Sequence, residues 1–151
     1  MFNVGGPVKE YSKKLNPNHI ENMFNFGNAY LHHEQKNYER SQEYSNVVSY
    51  ENFNYPFDLK NLKLKNSFEL DSTEHIFYEI DSYRKILRYN KMLSNERKNR
   101  HRNFLSYLEK IVQYKTGKDK IDISFLRHKL EDEDQILFKE WLMEKIEEIQ
   151  N

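Results

Sequence analysis

Cysteine is absent from the 151 residues, which removes disulfides, thiolate zinc sites, iron–sulfur clusters and thiol nucleophiles together. Glycine (4) and proline (3) are scarce. A chain with so few backbone punctuators has few tight turns, and this favours long helices over many short strands. Gly-x-Gly-x-x-Gly and Gly-Lys-Ser/Thr phosphate loops are missing, as is the Gly-x-Ser-x-Gly nucleophile elbow. No run approaches the ~18 consecutive apolar residues of a membrane-spanning helix. The opening Met-Phe-Asn-Val-Gly-Gly-Pro lacks the basic stretch and apolar core of a secretory leader. A soluble, cytoplasmic protein with no membrane partner is the expectation.

Net charge is missing too: 24 Lys/Arg balance 24 Asp/Glu. The balance hides an asymmetry. Residues 83–120 hold twelve basic and three acidic side chains, a net of +9, whereas residues 121–151 hold four and nine, a net of −5. One reading is a basic surface, with Arg84, Arg88 and Lys91 at i, i+4, i+7 and tyrosines interleaved, of the kind that tracks a nucleic-acid backbone. The other is internal compensation by the acidic C-terminal helix, through Glu140, Glu144, Glu147 and Glu148. Zero overall charge argues against strong phosphate attraction, so a protein partner is preferred.

What is present suits a packed helical core: 37% hydrophobic and 32% charged residues, one domain in length. Residues 1–17 read as a mobile lead-in and 18–151 as a single domain. Asn16-Pro17 opens a first helix to about Glu34, with Ile20, Met23, Phe24, Phe26, Gly27, Tyr30 and Leu31 as its inward face. Asn37 caps a second helix to about Val48. A third spans Asp58–Leu70, and a fourth reaches Leu87 with Ile76, Phe77, Ile80, Tyr83 and Leu87 at helical spacing. A fifth runs from Ser94 to Lys115 and stops at Gly117. Ile121–Leu130 is short, and Glu131–Gln150 forms the last. Seven helices result, with no convincing strand; Asn46–Tyr50 has only local strand propensity.

The first pair resembles a tetratricopeptide repeat. Asn25-Phe26-Gly27-Asn28-Ala29-Tyr30 matches its Leu-Gly-x-x-Tyr portion, and Tyr38-Glu39-Arg40-Ser41 its Tyr-x-x-Ala portion. Gly27 to Tyr38 is about two residues longer than the usual spacing. In a second unit, Phe68–Glu74, Asp71 replaces the turn glycine and Thr73 an aromatic. From Asn22 to Asn151 the chain is also similar to the C-terminal region of uncharacterised bacterial tetratricopeptide proteins. The pieces are Asp81-Ser82-Tyr83-Arg84-Lys85, Asn90-Lys91-Met92-Leu93-Ser94, Arg102-Asn103-Phe104-Leu105 and Glu140-Trp141-Leu142-Met143-Glu144-Lys145-Ile146. The resemblance implies an all-α, right-handed superhelical stack of antiparallel helix pairs, with Gly27 and Ser41 at the closest approach of the first pair. It implies a non-catalytic scaffold for a protein or peptide partner on a concave helical face.

In such repeats the first helix of each pair lines that face, which places Asn28 and His32 on it. Asn28 stands where peptide-clamping members of the family use asparagine to hold partner backbone. Phe24 replaces the companion lysine, so a ligand other than a C-terminal carboxylate is expected. Arg84 and Arg88 are further candidate contacts. Among the six histidines, His33-Glu34-Gln35-Lys36-Asn37 begins like His-Glu-x-x-His, but Asn37 occupies the second ligand position. No histidine has a glutamate three residues before it, so the Glu-x-x-His of di-iron bundles is missing. No metal, cofactor or catalytic residue is expected; a homo-oligomer is a further possibility for an end of the stack.

Overall fold

The computed structural model describes residues 17–50, 53 and 55–151. The expected lead-in lies outside these apart from Pro17, and the 49–56 connection lies partly outside them. Seven helices are formed by the described residues: α1 (Pro17–Glu34), α2 (Tyr38–Asn46), α3 (Pro56–Glu69), α4 (Thr73–Tyr89), α5 (Asn95–Thr116), α6 (Ile123–Glu131) and α7 (Lys139–Gln150). No strand occurs among them, and no helix is long and apolar enough to cross a membrane. The chain divides into two compact units, residues 1–70 and 71–151. The division falls within the expected Phe68–Glu74 unit, leaving α3 in the first and α4 in the second.

Local chemistry sets the helix ends. Pro17 and Pro56 each open a helix, where the missing N–H has no intrahelical role and φ is already helical. Asn37, Ser94 and Asp122 cap α2, α5 and α6 by accepting from Arg40, Arg97 and Phe125 N–H respectively. Gly117 ends α5 at φ 70°, in the left-handed region open to glycine at little cost. Asp71 takes φ 55°, in the left-handed region that aspartate tolerates better than most residues.

In the first unit α2 packs against both α1 and α3, and Val48, Phe53 and Leu59 make a buried cluster flanked by Met23 and Phe26. In the second unit Ile76, Ile80, Tyr83 and Leu87 bury one stripe of α4, and Phe104, Leu105, Leu108, Ile111 and Val112 one side of α5.

The C-terminus departs from expectation. The last helix begins at Lys139 and not at Glu131, because Asp132, Glu133 and Asp134 add three carboxylates where the C-terminal end of α6 disfavours negative charge. The intervening segment is instead fastened to α5: Asn103 Nδ2 donates to Gln135 O (2.7 Å) and Arg100 Nε to Gln135 Oε1 (3.3 Å). Trp141 is half-buried and lies edge-on to Phe104.

Candidate functional site

The inner side of α1 is polar. Asn22 clamps the backbone after α2, donating from Nδ2 to Ser49 O (3.2 Å) and accepting from Ser49 N–H (3.0 Å). Ser41, fully buried on α2, donates from Oγ to Ala29 O at 2.6 Å. Asn66 of α3, also fully buried, donates to Ser41 Oγ (2.8 Å) and Gln42 Oε1 (3.3 Å) and accepts from His33 Nδ1 (2.7 Å). Gln42 Nε2 reaches Ser67 Oγ at 3.1 Å. Three helices are thus tied by one network in which each buried amide is satisfied, and a satisfied buried network fixes a unique packing.

The consequence is that Ile20, Phe24 and Leu31 face away from the core, against the sequence-based expectation, whereas Met23 and Phe26 pack on it as expected. At ~100° per residue, Ile20, Phe24, Gly27 and Leu31 fall within an arc of about 60°, opposite Asn22, Asn25 and Ala29. Ile20 is 50% exposed, Phe24 65% and Leu31 53%, whereas Asn22, Asn25 and Ala29 are buried. Residues 22–33 contain no Lys, Arg, Asp or Glu. Leaving three large apolar side chains about half in water forgoes roughly 3 kcal/mol of burial.

Gly27 is not the point of helix–helix approach: a Cβ built there meets nothing within 4 Å. Ala29 takes that role, with its carbonyl under Ser41. The close contact was misassigned because glycine outranks alanine as a small residue in sequence, while the crossing is set by the Ser41 hydrogen bond.

Between stripe and core, α1 turns a third side toward α3. Phe26 stacks on Tyr55 (6.1 Å between centroids) and meets Tyr30 edge-on at 5.1 Å. Burial, with Asp58 and Glu34 nearby, pushes the Tyr30 phenol up, and burial also raises Asp58. Lys65 is lowered to about 8 by burial, partly offset by Glu34.

The residues singled out from sequence fall in both units. Asn28 Nδ2 donates to Phe24 O of its own helix at 2.9 Å, at the margin of the apolar stripe. His32 stacks on Tyr44 of α2, with centroids 5.3 Å apart and rings nearly parallel. Arg84 is held within the second unit by Glu109 (2.8 Å) and Ser106 (3.4 Å). Arg88 is exposed on α4. Of the acidic residues of α7, Glu147 pairs with Arg127 of α6 at 2.9 Å and Glu148 with Lys145 of its own helix at 3.2 Å.

His101 accepts from or donates to Tyr83 OH at 2.7 Å, and burial lowers its pKa to about 4, so the ring is neutral at physiological pH. No group of three His, Cys, Asp or Glu side chains is arranged to hold a metal among the described residues. Sequence reasoning missed the stripe as a surface; its helical spacing was visible, but its direction was not. No family model, curated protein or solved structure matches this chain.

Proposed function

We propose that the chain is a non-catalytic helical scaffold of tetratricopeptide type that binds a protein partner through the outward apolar face of α1. The observation behind this is the Ile20–Phe24–Leu31 stripe, apolar, half exposed and free of charged residues from 22 to 33. Such a face is characteristic of an interaction surface, in which charge is depleted and aromatic residues are enriched. Asn28, at its margin, is a polar contact of the kind that sets register.

The packing of α1 on α2 supports the repeat-type reading once its register moves by two residues. With Ala29 in place of Gly27 as the small residue, a ring follows three positions later (His32), Tyr38 opens the second helix and Ser41 lies three beyond. The two-residue excess in the Gly27 alignment then disappears. In this reading, helix pairs stack in a right-handed superhelix, and Phe26, Tyr30 and Glu34 line the side of α1 that faces the next first-position helix.

The test is capture by immobilised chain from the source-cell extract, compared with Phe24→Glu/Leu31→Glu and with Asn28→Ala. A captured protein that is lost with the double substitution, while helical content and unfolding midpoint are kept, supports the reading. Equal capture by both chains contradicts it.

A second reading, nucleic-acid binding through the basic 84–102 segment, is favoured by one observation. Tyr78, Lys85 and Tyr89 lie on one exposed stripe of α4 with Arg88 beside them. Against it, Arg84 and Arg100 are occupied by Glu109, Glu96 and Gln135. No binding of a fluorescent oligonucleotide at low salt ends this reading.

A further inference from the structure

The occupant of the α1 face is open in the reading above, and the stripe itself narrows it. Its four positions are symmetric about the midpoint between Asn25 and Phe26: Ile20 and Leu31 lie equally far from it, as do Phe24 and Gly27. Phe24 is a knob, 65% exposed. Gly27 is a notch, since space around its missing side chain is open to 4 Å. We infer that this face binds a second copy of itself, with two α1 helices crossing antiparallel about a two-fold axis, Phe24 of each copy entering the notch at Gly27 of the other and Ile20 packing on Leu31. This inference rests on the outer face of α1 being a binding surface.

Three features favour that arrangement over others. Spacings of four, three and four along 20, 24, 27 and 31 form a heptad-type seam, which lets knobs enter holes on an antiparallel partner. An isologous pair places a surface against itself, so any central charge would repel its own copy; residues 22–33 carry none. A parallel pair, by contrast, opposes Phe24 to Phe24 and Gly27 to Gly27, a clash beside a void.

The contact is small. At about 200 Å² for a large side chain, the exposed fractions offer roughly 300 Å² of apolar area per copy. This is well under the ~800 Å² per partner of a standard stable interface. The dimer is therefore reversible and concentration-dependent, visible at high micromolar and not at nanomolar concentration.

Sedimentation equilibrium over that range should show the mass rising from 18.5 kDa toward twice that value. Gly27→Leu fills the notch, where an added Cβ meets nothing within 4 Å, so it should raise the unfolding midpoint as Gly27→Ala does while weakening the dimer by at least about tenfold. Orientation is read by crosslinking, which the absence of native cysteine makes clean. An Ile20→Cys chain mixed with a Leu31→Cys chain should form a disulfide-linked pair on mild oxidation, and neither should do so alone. The two positions are about 16 Å apart along one helix, beyond disulfide reach. Crosslinking of either single variant alone overturns the antiparallel arrangement. A mass of 18.5 kDa at every concentration, with no crosslinking on mixing, overturns self-association. If that monomer still loses a captured protein on Phe24→Glu/Leu31→Glu, the binding-face reading survives the failure of this inference; if capture is unchanged, both fall.

Discussion

Adding carbon at two positions only two residues apart on α1 should move stability in opposite directions. At Gly27 an added Cβ touches nothing within 4 Å, so Gly27→Ala changes only the backbone: the substitution removes the entropic penalty of helical glycine, about 1 kcal/mol in favour of the folded state. At Ala29 the side chain is fully buried, and the adjacent carbonyl accepts the 2.6 Å bond from Ser41. Ala29→Val adds two methyl groups at a crossing with no slack and loses some helix propensity, a combined cost of about 2–3 kcal/mol. For a cooperative unit of this size, 1 kcal/mol moves the midpoint by about 4–8 °C. Gly27→Ala should therefore melt several degrees above the native chain and Ala29→Val at least about 10 °C below it. Thermal and urea unfolding followed by helical ellipticity measure both. A destabilised Gly27→Ala, or a neutral Ala29→Val, would mean that α1 is rotated from the orientation described.

Two other outcomes follow from the buried polar groups. Asn66→Ala removes a donor and acceptor shared by His33, Ser41 and Gln42 and should cost about 3 kcal/mol in urea unfolding; a loss below ~1 kcal/mol would show the network to be slack. His101 has its pKa lowered from 6.5 to about 4 by burial. As pH falls, the unfolded imidazole is therefore protonated first, and the contribution of the neutral ring, full above pH 6.5, is lost between 6.5 and about 4. Unfolding of the native chain should show this slope relative to His101→Gln, and parallel pH profiles of the two would contradict it.

Helix number and most helix ends were legible because their signals are local. Pro17, Asn37, Ser94 and Gly117 each act within one turn of their own position. The periodic stripe of α4 was legible because its apolar side is its buried side. The direction of α1 was not. By apolar content Ile20, Phe24 and Leu31 outrank Asn22, Asn25 and Ala29, yet partners 27 residues away for Asn22 and 12 away for Ala29 hold the polar side inward. No window along the chain contains both halves of those bonds. The same limit affected the candidate site: Arg84 looked available for a partner until Glu109, 25 residues later, was found against it. The start of α7 was only partly hidden: Asp132, Glu133 and Asp134 are a local signal against continuing α6, whereas Gln135 meets Arg100 and Asn103 only in the folded unit.

Which side of α1 meets water can be measured directly, because any introduced thiol is the sole thiol in the chain. Phe24→Cys, Leu31→Cys and Ala29→Cys are treated with a maleimide under native conditions at a concentration low enough to keep the chain dispersed. The first two should react at nearly the rate of the unfolded chain and the third far more slowly. Protection at residues 24 and 31 with rapid labelling at 29 would contradict the outward apolar face and the binding role built on it.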